Sequence, residues 1–262
     1  MKKITRAVLA LLTAALVFSG CSGRGSSGPT VYPDMQEAFE QSGLLPANIG
    51  IFTKTEQGDA TSYGECGSGV IFAAEDGAYY ALTAAHVVST ADAQLLVFTV
   101  HTEMKEETIP GLDSFAVLTQ DTYESMYAAE VVYVSQRDDL AVIRFFAPEE
   151  LSVVELADSD PEKGDRILCV GNPEGDWFAV SCGTVISGIE PFGQSQGFPS
   201  NAMKHSAYIH VGSSGGAAFN EQMKLAGITP GAYLSPDGKT FHCGVLIPIS
   251  EIRLCLAEWN RS

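Results

Sequence analysis

His86, Asp139 and Ser214 are the residues of this chain whose types and settings could do chemistry together. A serine hydroxyl is a weak nucleophile until an imidazole accepts its proton, and the imidazole needs a carboxylate to fix its tautomer and stabilise its cation. His86 lies in Leu82-Thr83-Ala84-Ala85-His86-Val87-Val88, at the end of an apolar run and among small residues that leave space around the ring. Asp139 opens Asp139-Leu140-Ala141-Val142-Ile143, a carboxylate immediately before another apolar run. Ser214 sits in Gly212-Ser213-Ser214-Gly215-Gly216. Glycines there let the backbone turn sharply and present a hydroxyl beside convergent N–H groups that could hold an oxyanion. Each residue alone has a plainer reading: a hydrogen-bonded histidine, a turn or capping aspartate, a flexible Gly/Ser loop. Taken jointly, in the order His, Asp, Ser and each at the edge of a β-like run, they read as a nucleophile, its base and the base's orienting group.

The elements that must position them are strands. From about residue 48 the chain breaks into short β-rich runs bounded by Gly, Pro, Asn and Asp: 67–73, 78–84, 94–100, 115–119, 129–135, 139–146, 165–171, 178–188, 224–231 and 242–250. Strands of this length and spacing suit a sandwich or barrel rather than βαβ units. The predicted fold is all-β: two six-stranded antiparallel barrels, residues 48–150 carrying His86 and Asp139, residues 151–262 carrying Ser214. A short helix over 34–43 precedes them. A second closes the chain, with Ile252, Leu254, Cys255, Leu256 and Trp259 spaced as one helical face.

Lys2, Lys3 and Arg6 followed by the apolar stretch Ala7 to Phe18 read as a targeting leader, residues 1–20, too short to span a bilayer. Phe18-Ser19-Gly20-Cys21 resembles a bacterial lipobox, so Cys21 is the expected site of lipidation, holding the protein on the extracytoplasmic face of the cell membrane. The Gly/Ser/Pro-rich stretch after it, within 21–47, serves as a tether. With 15 Lys and Arg against 32 Asp and Glu, nucleic acid is excluded as a partner, because phosphate contact needs clustered cations. No cofactor or metal is called for: His205, His210 and His242 lack the spacing of a zinc site. Five cysteines follow Cys21, an odd number. Cys169 and Cys182 flank a turn and could either join in a disulfide or serve as reduced core fillers.

From about residue 64 to 253 the chain resembles the trypsin-like serine proteases, specifically the HtrA/Deg family. The likeness is carried by GSGVI (67–71) leading into TAAHVV, by DLAVIR after the aspartate, and by LADSD (156–160) before KGDRILCVGNPEG. CGTVISGI (182–189), the GSSGG serine motif, LAGI (225–228) and GVLIPIS (244–250) complete it. The resemblance implies a double β-barrel, an acyl-enzyme mechanism and cleavage of unfolded or damaged proteins, and it allows the homotrimer common in that family. It assigns His86, Asp139 and Ser214 as the triad, and Gly212 and Ser214 as oxyanion donors with Ser213 between them. Tyr208, Ile209, His210, Gly227, Ile228, Thr229, Gly244, Val245 and Leu246 become the walls of the primary specificity pocket. No carboxylate lies among those nine, so the expected preference is for small or aliphatic side chains over Lys or Arg. His210 would allow an acidic side chain instead, while His205 and His242 read as solvated loop residues.

The sequence departs from the family in three ways. The serine motif reads His210-Val211-Gly212-Ser213-Ser214-Gly215-Gly216-Ala217 where the family commonly has Asn-Pro-Gly-Asn-Ser-Gly-Gly-Pro. Neither a PDZ module nor an Ile-Val-Gly-Gly start to the barrel is found. The altered serine motif supports the competing expectation, a catalytically silent relative that binds unfolded polypeptide or a partner protein. Loop 190–206, rich in Gly, Pro and Ser, is expected to be mobile until a ligand orders it.

Overall fold

A computed structural model describes residues 32–109, 112–192, 199–238 and 240–261. The leader 1–20, Cys21 and the tether up to residue 31 lie outside the described residues, as does the middle of loop 190–206. The chain opens with α1 (Pro33–Ser42), ended by Gly43 in the left-handed conformation (φ 71°) that glycine adopts at little cost. Strands β1 (Asn48–Gln57), β2 (Ala60–Glu75), β3 (Ala78–Thr83) and β4 (Gln94–Phe98) follow. The small hairpin of β5 (Glu106–Ile109) and β6 (Leu112–Leu118), then α2 (Gln120–Ser125), lead to β7 (Tyr127–Ser135) and β8 (Leu140–Phe146). The second half holds β9 (Arg166–Gly171), β10 (Ala179–Thr184), β11 (Glu190–Pro191), β12 (Asn201–His205), β13 (Gly216–Phe219), β14 (Leu225–Leu234) and β15 (Phe241–Pro248), and ends in α3 (Ile249–Trp259).

The first half is a closed antiparallel barrel in the order β1-β2-β3-β8-β7-β4. Period-two alternation decides what each strand buries. On β8, Ile143 and Phe145 face the barrel interior with Ile49, Ile51, Ile71 and Val97. Leu140 and Val142, in the opposite phase of the strand, face outward into the core between the two halves, while Phe146 is left 59% exposed. The second half is a sheet ordered β10-β9-β13-β14-β15-β12-β11. Its ends meet: Val185 bridges His205, Ser206 N–H donates to Thr184 O (2.9 Å), and Ile186 N–H donates to Lys204 O (2.8 Å). Six strands thus close a second barrel, with the two-residue β11 appended to β12. Its interior holds Ile167, Cys169, Met203, Ile209, Ala218 and Leu246.

The core between the barrels positions the site. Val70, Leu82, Leu140 and Val142 meet Leu168, Val170, Phe219, Leu225 and Ile228 there, and α1 and α3 seal it. Phe39 of α1 lies tilted against Phe219, ring centroids 5.5 Å apart, and Trp259 of α3 lies against Phe72 and Tyr80 of the first barrel.

Several expectations need correcting. The run 115–119 belongs to the separate β5–β6 hairpin, and the first barrel takes β1 in its place. β12 and β13 complete the second barrel although neither stood out as a run, and β12 falls inside the stretch read as loop 190–206. On α3, Ile252, Cys255 and Leu256 are buried, but Leu254 lies on the other side of the helix, 57% exposed. The disulfide is ruled out by register: Cys169 sits opposite Ser181 and Cys182 opposite Leu168, so the two side chains point to opposite faces of the sheet. Both are buried free thiols whose pKa burial pushes up, and they act as fillers of two different cores. His205 is not a solvated loop residue. It is fully buried with its ring packed on the Cα of Gly244, and burial lowers its pKa to about 4, which keeps it neutral at physiological pH. His242 is exposed, as expected, but it lies in β15 and not in a loop.

Candidate active site

β3 ends at Thr83, and the chain passes through the fully buried Ala84 and Ala85 into a single helical turn, Ala85–Val88, that carries His86. The small residues matter because neighbouring backbones press on this turn from two sides. A Cβ on Gly67 would come within 2.8 Å of Val87, and one on Gly215 within 2.9 Å of the Ala84 nitrogen. Asp139 ends the turn between β7 and β8, buried and in the left-handed region (φ 50°), a conformation aspartate tolerates better than most residues. The turn aims its carboxylate at the histidine. Asp139 Oδ2 lies 2.8 Å and Oδ1 3.1 Å from His86 Nδ1, and Oδ1 also accepts the His86 main-chain N–H at 3.0 Å. Asp139 O accepts the Ala85 N–H at 3.1 Å. A carboxylate can only accept, so Nδ1 carries the proton and Nε2 is left as a base. The imidazole side chain is 41% exposed.

Ser214 is brought alongside by backbone contacts. Ser68 N–H of β2 donates to Ser214 O at 2.7 Å, and a Cβ on Gly67 would lie 2.5 Å from that same oxygen. Ser68 Oγ also donates to Gly212 O (2.7 Å) and receives the main-chain and side-chain N–H groups of the fully buried Asn172 (3.0 Å each). The serine loop is therefore sewn to both barrels. Ser68 and Asn172 were not foreseen as site residues, although each lies in a motif that marks the resemblance, GSGVI and GNPEG.

The loop presents free donors. Ser213 N–H closes a turn onto His210 O (2.9 Å), with Gly212 between them at φ 95°, open to glycine. Gly212 and Ser214 donate their N–H groups to no acceptor among the described residues. Two unspent amides beside a hydroxyl are what stabilisation of a developing oxyanion requires. The hydroxyl itself is turned aside: Ser214 Oγ donates to Pro230 O at 3.0 Å, and among the described residues no hydrogen bond joins it to His86. It must leave Pro230 before the imidazole can take its proton.

Residues 67–228, a span that includes His86, Asp139 and Ser214, match the model of the trypsin-like peptidase domain. The chain belongs to the trypsin-like peptidases. Among named members of the family, it is 31% identical over 193 residues to a probable serine protease do-like of Buchnera aphidicola, covering 73% of this chain and 35% of that protein. It is 30% identical over 186 residues to a probable periplasmic serine protease do/HhoA-like of Haemophilus influenzae, covering 71% and 34%. It is 31% identical over 188 residues to the periplasmic serine endoprotease DegP of Escherichia coli K12, again covering 71% and 34%. The chain thus spans about a third of the length of these relatives.

In this trypsin-like peptidase the nine residues expected to wall a specificity pocket are scattered. Tyr208 is 39% exposed and lies near the rings of His210 (6.1 Å) and Phe241 (5.3 Å), while Ile209 points into the second barrel. Gly227 is buried, its Cα hard against Leu246 and the carbonyl of Ile247, and Ile228 belongs to the core between the barrels. Thr229 is buried, its hydroxyl 3.3 Å from both Ser213 O and Gly216 O. Gly244 underlies His205, and Val245 and Leu246 fill two separate hydrophobic clusters. The β14 residue that reaches Ser214 is Pro230, which the sequence reading missed, with Gly231 and Ala232 after it. β13 pairs with β14 only as far as Thr229, so beyond that residue this edge of β14 has no strand partner among the described residues. A proline tolerates such an edge because it has no N–H to lose.

Proposed function

We propose that this protein is an extracytoplasmic serine endopeptidase that cleaves polypeptides through His86, Asp139 and Ser214. The observation that carries the reading is the Asp139 carboxylate holding both the ring and the main-chain N–H of His86, beside a serine loop with two undonated amides. Ser214 Oγ attacks the scissile carbonyl as His86 Nε2 takes its proton. The carbonyl oxygen, now an oxyanion, is held by the N–H groups of Gly212 and Ser214. The protonated imidazole, steadied by Asp139, then gives its proton to the leaving amine, and water resolves the acyl-enzyme by the same steps in reverse. The substrate would lie in extended form along the open edge of β14 at Pro230, Gly231 and Ala232, where main-chain pairing accepts many sequences. Unfolded or damaged proteins supply such segments. Of the expected pocket, His210 and Thr229 contact Ser213, next to the proposed nucleophile, and with Tyr208 remain our candidates for its wall. Location outside the cytoplasm is supported by the leader and by the periplasmic names of the relatives. Lipidation at Cys21 would keep the enzyme on the membrane, and a homotrimer is the assembly we propose.

The turned serine favours a second reading: a protein that binds polypeptide in the cleft without cutting it. Incubation of the purified protein with unfolded casein and with peptide reporters separates the two. The endopeptidase reading expects casein fragments and a rate on aliphatic reporters about tenfold or more above that on an arginyl one. Casein bound but uncut supports the silent binder, and rapid arginyl hydrolysis would refute the pocket.

A further inference from the structure

The carboxylate of the neighbouring residue, Asp138, is also buried, with its side chain 6% exposed, and the triad makes no use of it. A buried carboxylate is retained only where it is paired and hydrogen-bonded. Asp138 Oδ2 accepts the Ser135 hydroxyl at 2.7 Å, and the carboxylate receives Nε and Nη2 of Arg137 at 3.0 and 2.9 Å. These contacts lock the residues joining β7 to β8, the turn that ends at Asp139. The same turn is held from outside its own barrel. Arg137 O accepts both the N–H and the hydroxyl of Ser200, just before β12 in the second barrel, each at 3.1 Å. Its guanidinium reaches Glu258 of α3 at 3.9 Å.

We infer that Asp138 and Arg137 are positioning residues that hold Asp139 in its left-handed conformation against His86, and that Ser200 ties this alignment to the second barrel. The inference rests on the triad proposed above. Asp139 must keep φ at 50° to direct its carboxylate to the ring and main-chain N–H of His86 together. A left-handed aspartate relaxes readily once its flanks are free, and a turn not fixed at its preceding residue would let the carboxylate swing away. The clamp stays charged where histidine titrates: burial pushes the Asp138 pKa up, but the hydrogen bonds from Arg137 and Ser135 outweigh it, leaving the group below the usual carboxylate range. Glu251, Glu258 and the Cys255 thiol also face this cluster.

The test is full kinetics per titrated active site on the intact protein, with fluorophosphonate counting the active sites. Asp138→Ala is expected to lower kcat by ten- to a hundredfold with KM unchanged. It should also move the acidic limb of kcat/KM to lower pH, because an imidazolium that loses its carboxylate is easier to deprotonate. Asp138→Asn, which keeps an acceptor for Ser135 and Arg137, should recover most of the loss. Ser200→Ala removes one of the two contacts to Arg137 O while leaving the Asp138 carboxylate paired, and should lower kcat several-fold, which keeps the test open if Asp138→Ala does not fold. A purely structural role would lower the melting temperature and the count of active sites, yet leave kcat per site and the pH limb unchanged; that result overturns the inference. A folded wild type that takes up no fluorophosphonate removes the triad reading, and this inference with it.

Discussion

Asp139→Asn will cut kcat by about 10⁴-fold while the protein stays folded. Asp139 accepts two N–H groups of His86, the ring at 2.8 Å and the main chain at 3.0 Å. An amide can keep the main-chain contact through its oxygen. To the ring, however, it offers N–H, which drives the imidazole proton from Nδ1 to Nε2 and leaves no base facing the serine. Because the change is nearly isosteric and the substrate does not touch Asp139, KM and the melting temperature should move little. Steady-state kinetics on a peptide found to be cleaved, together with a thermal melt, checks this. A kcat within tenfold of wild type would mean that the pair does not set the tautomer of the working base.

Gly215→Ala will lower activity by at least about a hundredfold, for a different reason. Gly215 has φ 86°, and a Cβ there would stand 2.2 Å from Ser68 O, 2.3 Å from Thr83 Oγ1 and 2.9 Å from Ala84 N. None of those atoms is the far end of a flexible chain. The serine loop must therefore move off β2, and the hydrogen bonds that register it, Ser68 N–H to Ser214 O and Ser68 Oγ to Gly212 O, open with it. The left-handed backbone adds roughly 1–2 kcal/mol for any residue with a Cβ. Stability should fall together with activity, and the per-site rate of the remaining folded enzyme should fall further. Activity per folded molecule equal to wild type would show that the loop tolerates displacement and that the close packing is incidental.

The proposed triad was legible in the sequence because each member sits in a local setting that its chemistry needs: small residues before His86, an aspartate at a strand start, glycines on both sides of Ser214. Long apolar strands such as β8 and β9 were equally plain. β1 was less so, since half of Asn48–Gln57 is polar at the barrel rim, and β13, Gly216–Phe219, is only four residues of mostly small side chains. Both are strands because neighbours pair with them, a fact fixed by the tertiary fold and not by local propensity. Register was the main blind spot. A slip of one residue exchanges faces, which is why Cys169 and Cys182 could be imagined as partners and why the pocket wall was drawn at Gly227, Ile228 and Thr229 when Pro230 is the residue that meets Ser214. The buried His205 belongs to the same class: nothing around it in the sequence announces the glycine, Gly244, that makes room for its ring.

The most direct test of the central claim is covalent labelling of the purified protein with a fluorophosphonate, followed by intact mass measurement and peptide mapping. The expected result is one adduct per chain, on Ser214, abolished by Ser214→Ala and slowed by orders of magnitude in His86→Ala. A folded protein that takes up no label, or takes it up elsewhere, would contradict the assignment of Ser214 as a nucleophile activated by His86 and Asp139.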